Sequence, residues 1–230
     1  MNGFLLVDKP SGITSYDVIR QLKKYLPPKT KIGHSGTLDP FATGLLIIAI
    51  GKQYTKQLSQ LLNLDKTYQA EITLGTSTDS YDIDGNKTFQ HPTPFEINIE
   101  ELNHCIDSFK GEIEQYPPKF SAKKIKGVPA YKRARNGELV ELKPNKVTIY
   151  ELSLNNYDAQ QQQINCSVHC SKGTYIRSLA HDIGEKLNVG GYLSKLNRLA
   201  IGNHSINEAT PLDEIKSDSI ENLLVSSLNI

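Results

Sequence analysis

The chain has 230 residues, 38% of them hydrophobic, and its 26 Lys and Arg almost balance 25 Asp and Glu, for a net charge of +1 at pH 7. That length buries a substantial core as one large domain, or as one domain with an insertion. No apolar stretch approaches the roughly 20 residues that cross a bilayer, and Met1-Asn2-Gly3-Phe4 lacks the basic region and apolar core of a signal peptide, so a soluble cytoplasmic protein is expected.

The apolar run Phe4-Leu5-Leu6-Val7 reads as a buried strand. Thr14-Ser15 offers an N-cap to an amphipathic helix with Val18, Ile19 and Leu22 on one face, stopped by Pro27-Pro28. Gly33 and Gly36 open backbone conformations closed to other residues, and Pro40 pushes Asp39 toward an extended form, so residues 33–41 should be a shaped loop. Residues 45–50, bounded by Gly44 and Gly51, predict a central strand starting just after that loop, followed by a short helix through Leu58, Leu61 and Leu62. Residues 68–74, 147–154 and 164–170 alternate as strands, with a turn at 160–163. Residues 175–187 have helical spacing at Ile176, Leu179, Ala180, Ile183 and Leu187, with Gly190-Gly191 beyond the end. Strands and helices mix without regular βαβ alternation, which indicates an α+β fold over a mixed, mostly antiparallel sheet.

The near-neutral total hides segregated charge. Residues 119–146 carry nine basic side chains, among them Lys123, Lys124, Lys126, Arg133 and Arg135, against two acidic ones, a net of +7. Residues 79–114 carry the reverse, nine acidic against two basic. The basic block reads equally as a solvated face or, with Phe120 and Tyr131 inside it, as an arm that grips RNA through phosphate contact and stacking. Cys105, Cys166 and Cys170 are odd in number and form no CxxC pair, which argues against a disulfide scaffold or a zinc site and for buried free thiols. Residues 44–53 imitate a phosphate loop but place Gln53 where Ser or Thr belongs, and residues 80–91 imitate a calcium loop but start on Ser80 and end on His91. No metal is expected.

Local chemistry leaves Asp39 two readings: a carboxylate that braces a turn, or a catalyst presented at the head of a buried strand. Here Gly33-His34-Ser35-Gly36-Thr37-Leu38-Asp39-Pro40, followed by Ala42 and Gly44, resembles the signature of the TruB family of tRNA pseudouridine synthases. The likeness extends to Asp8-Lys9-Pro10-Ser11-Gly12, to Lys66-Thr67-Tyr68 with Leu74-Gly75, to Pro117-Pro118 with Ser121-Ala122, and to Cys170-Ser171-Lys172-Gly173-Thr174-Tyr175-Ile176-Arg177. The resemblance implies a pseudouridine synthase fold over residues 1–205, a basic RNA-gripping insertion at about 117–146 and a short tail at 206–230, with the C-terminal RNA-binding domain of longer members missing or vestigial.

The resemblance also implies roles. Asp39 matches the family's nucleophile and Arg177 its cationic partner, the alternative for Arg177 being a surface arginine on phosphate. A carboxylate has a reference pKa of about 3.9 and is ionised at neutral pH unless burial raises it, and arginine keeps its charge when desolvated. Tyr68 matches a tyrosine that stacks on uracil and serves proton transfer, and Tyr175 and Leu196 match positions lining the uracil pocket; core packing is the alternative for all three. His34 matches a histidine that occupies space beside a flipped nucleotide, the alternative being a turn brace. Lys9 either contacts phosphate or braces the active-site loop. Asn197, before Arg198, stands where many relatives have a second arginine. The implied activity is isomerisation of uridine to pseudouridine at position 55, in the T-loop of tRNA; that reaction changes no oxidation state and transfers no external group, so no cofactor is expected, and nothing in the sequence demands a dimer, so a monomer is expected. A tRNA-folding chaperone and a synthase for another RNA are the alternatives.

Overall fold

The structure is a computed structural model that describes residues 1–121, 123–125, 127–136, 138 and 142–228. It divides into two compact units, Met1–Tyr68 with Leu196–Ile230, and Gln69–Lys195.

The first unit opens with β1 (Gly3–Lys9) and α1 (Ser15–Leu22). Thr14 caps α1 through a capping box: its hydroxyl accepts from the Asp17 N–H, and the Asp17 carboxylate accepts from the Thr14 N–H. β2 (Ile32–His34) and β3 (Thr43–Ile50) follow, then the short helices α2 (Lys52–Thr55) and α3 (Leu58–Asn63), and β4 (Lys66–Leu74) leads out. β3 pairs antiparallel with β1 from Gly3↔Ile50 to Lys9↔Gly44, and with β2 from Ile32↔Ile50 to His34↔Ile48. Both faces of this pair are covered: Leu5, Val7, Leu46 and Ile48 pack with Val18, Ile19 and Leu22 of α1, while Phe4, Leu6, Leu45 and Ile47 pack with Tyr54 and Leu61. Two-sided burial is why these strands read as continuous apolar runs and not as alternation. Each fully buried Leu or Ile here contributes on the order of 2 kcal/mol.

The second unit continues with β5 (Thr76–Thr78), β6 (Lys87–Gln90), α4 (Ile99–Asp107) and β7 (Gly111–Gln115). The basic block holds β8 (Lys124–Ile125), β9 (Val128–Pro129) and α5 (Ala130–Arg135), and is followed by β10 (Asn145–Asp158), β11 (Gln163–Cys170), α6 (Ile176–Lys186) and β12 (Gly191–Ile201). In this unit the strand order is β12-β4-β11-β10-β7, with β10 antiparallel to both β11 and β7. Burial alternates along β4 and β11: Ala70, Ile72, Leu74, Ile164, Cys166 and Val168 are buried and their neighbours are not. α4 packs on β10 and α6. Past the α6 C-cap, Leu187, the chain turns through Asn188 at φ 59° and Gly190 at φ 75°.

Back in the first unit, Leu196–Ile201 of β12 lies parallel to β3 through Asn197↔Thr43 and Arg198↔Gly44. β13 (His204–Ser205) pairs with β12, and β14 (Thr210–Pro211) runs parallel to β1. The fold is α+β with a mixed sheet, as expected. The strands and helices anticipated in chain order are all present; α2, β5 to β9, α4, α5 and β12 to β14 had not been anticipated, and Gly33 and His34, expected in the loop, instead pair with β3 as the end of β2. The three cysteines are buried, and desolvation pushes the Cys166 thiol up to about 12. No helix among the described residues is long and apolar enough to cross a membrane.

Candidate active site

Asp39 sits half-buried in the loop between β2 and β3, and the segment after β1 builds the floor under it. The Ser15 hydroxyl accepts from the Leu38 N–H at 2.9 Å and donates back to the Leu38 carbonyl at 3.2 Å. The Gly12 N–H donates to the Pro40 carbonyl at 2.8 Å, and the Ser11 hydroxyl to the Phe41 carbonyl at 2.9 Å. Lys9 is fully buried, and its Nζ donates to the carbonyls of Pro10 and Ile13, both at 2.8 Å, and of Pro40 at 3.4 Å. The two sequence blocks around Lys9 and Asp39 therefore form one structure, and Lys9 braces the loop.

Burial of that ammonium lowers the Lys9 pKa to about 8; the negative charge of Asp39 opposes the shift and the positive charge of Arg198 adds to it. Arg198 is a second buried cation under the same loop. Its Nε donates to the Leu45 carbonyl at 2.8 Å and its Nη2 to the Gly36 carbonyl at 3.2 Å, and its guanidinium also bonds the Tyr68 side chain. Gly44, at φ +108°, lies so close to Asn197 and the Arg198 backbone that a Cβ would overlap both. His34 is held neutral by desolvation first and by the Arg198 charge second, a backbone bond at Gly36 opposing them. Its Nδ1 is buried without a hydrogen-bond partner among the described residues. Tyr68 and Leu196 are both buried, at 8% and 7% exposure, from β4 and β12.

In the second unit Arg177, at the start of α6, is buried and pairs with Asp82 at 3.2 Å. Its Nη1 also donates to the Ser80 carbonyl and its Nη2 to the Phe120 carbonyl, both at 3.0 Å. Asp82 accepts in addition from the Ser80 hydroxyl at 2.5 Å and the Asp84 N–H at 3.1 Å. The segment that imitates a calcium loop is thus the mount for Arg177. Tyr175 precedes α6, and the Gln115 side-chain amide clamps its backbone, donating to its carbonyl at 2.9 Å and accepting from its N–H at 2.7 Å. In the basic arm Lys123 Nζ donates to the Lys143 carbonyl at 3.0 Å and to Asn145 Oδ1 at 2.6 Å, and Arg133 pairs with Glu138 at 2.9 Å. Lys126 and the side chains of Lys124 and Arg135 lie outside the described residues.

The profile described as TruB family pseudouridylate synthase (N terminal domain) matches residues 23–176. The tRNA pseudouridine synthase B of Aquifex aeolicus is 46% identical over 219 residues, 94% of this chain and 74% of that relative. The chain belongs to the TruB family. The tRNA pseudouridine synthase B of Clostridium tetani is 44% identical over 98% of the chain and 76% of its own length. Among solved structures, a Cbf5-Nop10-Gar1 complex contains a chain that superposes with a TM-score of 0.69 at 26% identity, covering 94% of this chain and 54% of that one. An H/ACA RNP bound to a substrate RNA containing 2'-deoxyuridine gives 0.68 at 25% identity, covering 94% and 52%. The chain spans about half the length of these two solved chains.

Within this TruB fold, the first unit brings together Asp39, Lys9, His34, Tyr68 and Leu196. The second positions Tyr175 and Arg177. Sequence reading missed two residues that organise them, Arg198 and Gln115. The signal for Arg198 was a charged side chain two residues from Leu196, hence on the same face of a strand. Gln115 left no signal, because its role depends on which backbone lies beside it.

Proposed function

We propose that this protein isomerises uridine to pseudouridine at position 55, in the T-loop of tRNA, with Asp39 as nucleophile. The observation that carries this reading is the family signature folded into a braced loop that presents a half-buried carboxylate beside the buried ammonium of Lys9. In the reaction the bond from ribose C1' to uracil N1 breaks, the base turns, a bond from C1' to C5 forms, C5 loses a proton and N1 gains one. No electrons are exchanged with another molecule, so no redox cofactor enters. An ionised carboxylate serves either by adding to the base or by bonding at the sugar. The target base must first leave its stack, at a cost of a few kcal/mol that protein contacts offset.

In this reading residues 1–205 are the catalytic domain and residues 206–230 a short tail. Tyr68 stacks on the uracil and handles the C5 proton, Tyr175 and Leu196 line the base pocket, His34 contacts the RNA loop and occupies space beside the flipped nucleotide, and Arg177 supplies the permanent positive charge that serves Asp39. Lys123, Lys124, Lys126, Arg133 and Arg135 belong to the arm at 117–146 that holds RNA. A monomer acting in the cytoplasm suffices for this chemistry.

The test is tritium release from tRNA transcripts carrying uridine labelled at C5, comparing wild type, Asp39→Asn and a transcript with cytidine at the T-loop position. Release by wild type alone, and only when that uridine is present, is the expected result. Tight tRNA binding without release would favour a folding chaperone instead, and release by Asp39→Asn at the wild-type rate would remove Asp39 from the mechanism.

A further inference from the structure

Arg198 is among the largest fully buried side chains in the protein, at 2% exposure, and its hydrogen bonds join elements far apart in sequence. One reaches Gly36 in the loop that carries Asp39, one reaches Leu45 at the head of β3, and one reaches the side chain of Tyr68 on β4. Burying a guanidinium is costly unless its donors are used, and a purely structural tie between two carbonyls is made as well by neutral groups. What a cation adds is directed at the phenol. An oxygen that accepts from arginine has its own proton turned elsewhere, and a neighbouring positive charge favours its anionic form.

We propose that Arg198 is a positioning residue for the isomerisation, fixing the Tyr68 side-chain oxygen against the Asp39 loop so that, as phenolate after its own proton has passed to solvent, it is aligned to take the C5 proton. The inference rests on the proposed reaction for its catalytic consequence, but not for the contact itself. Besides Tyr68, the titratable groups that sense the Arg198 charge are Lys9 on β1 and His34 on β2.

Two measurements test it. The first isolates the Tyr68 titration as the difference in phenolate absorbance between a protein and its Tyr68→Phe partner, in the wild-type and Arg198→Met backgrounds. The Tyr68 midpoint is expected to rise by about one pH unit or more when the cation is removed; an unmoved midpoint overturns the proposal. Where Arg198→Met fails to fold, Arg198→Gln, which keeps two donors for the carbonyls, gives the same reading. The second is a double-mutant cycle on single-turnover isomerisation of tRNA. Arg198→Lys is expected to slow the wild type about tenfold or more, with tRNA affinity changed less than about threefold, and to cost little further in Tyr68→Phe. Losses that multiply in the double variant would make Arg198 a structural tie alone. A wild type that binds tRNA without isomerising it would defeat the proposed function, while the titration would still decide the role of Arg198.

Discussion

Asp82 and Arg177 form a buried ion pair at 3.2 Å, with 7% and 6% of their side chains exposed. Removing one partner of such a pair leaves an uncompensated buried charge, which costs about 3–5 kcal/mol. Asp82→Ala is therefore expected to lower unfolding stability in urea by about 3 kcal/mol or more, and Asp82→Asn by less, because its amide oxygen still accepts from the guanidinium. A second change, Arg177→Met, should restore much of the loss in Asp82→Ala. A fall smaller than about 0.5 kcal/mol for Asp82→Ala would show that the pair is solvated.

Lys9 gives a pH signature. Its ordinary pKa of 10.5 is lowered to about 8 by burial. Below pH 8 the amine is charged in folded and unfolded chains alike, and the folded state bears the cost of burying it. Between pH 8 and 10.5 the folded chain gives up its proton first, so the contribution of Lys9 to stability becomes more favourable as pH rises through that window. The loop, however, loses a charged donor to Pro10, Ile13 and Pro40. Isomerisation by the wild type should fall with a midpoint near pH 8, whereas Lys9→Met should be slower at pH 7 and lack that step. Matching pH–rate profiles for the two proteins would exclude Lys9 as the source.

Gly44 and Gly12 separate steric demand from backbone demand. Both have positive φ, at +108° and +85°, but a Cβ on Gly44 would overlap Asn197 and Arg198, whereas one on Gly12 meets nothing within 4 Å. Gly12→Ala should cost only about 1 kcal/mol, the backbone term. Gly44→Ala should cost at least twice that and slow isomerisation, since it pushes β12 away from β3 where Arg198 is anchored. Equal costs in chemical denaturation would show that the β3–β12 junction yields freely.

The basic arm predicts a salt effect. Replacing Lys123, Lys124 and Lys126 with Gln should weaken tRNA binding and reduce the slope of log affinity against log salt by about 2 to 3. The Lys123 substitution also removes its bonds to Lys143 and Asn145, so Lys123→Gln alone should loosen the base of the arm. An unchanged slope in the triple variant would make the block a solvated face.

The sequence by itself determined the elements whose local chemistry is decisive: the N-cap at Thr14, the buried apolar runs of β1 and β3, the alternation of β4 and β11, and the positive-φ Gly36 in the Asp39 loop. It also marked Asp39, Tyr68 and Arg177 by resemblance, and left Lys9 open between two roles. Tertiary structure decided what contacts distant in sequence decide. It committed Lys9 to the loop, gave Arg177 a carboxylate at Asp82, clamped Tyr175 with Gln115, and drew Arg198 beneath both Tyr68 and Gly36. A buried charge takes its partner from whichever chain segment packs beside it, across separations of 31 residues for Lys9 and Pro40 and 162 for Arg198 and Gly36. Hydrophobic periodicity marks which face is buried, but not what is waiting there.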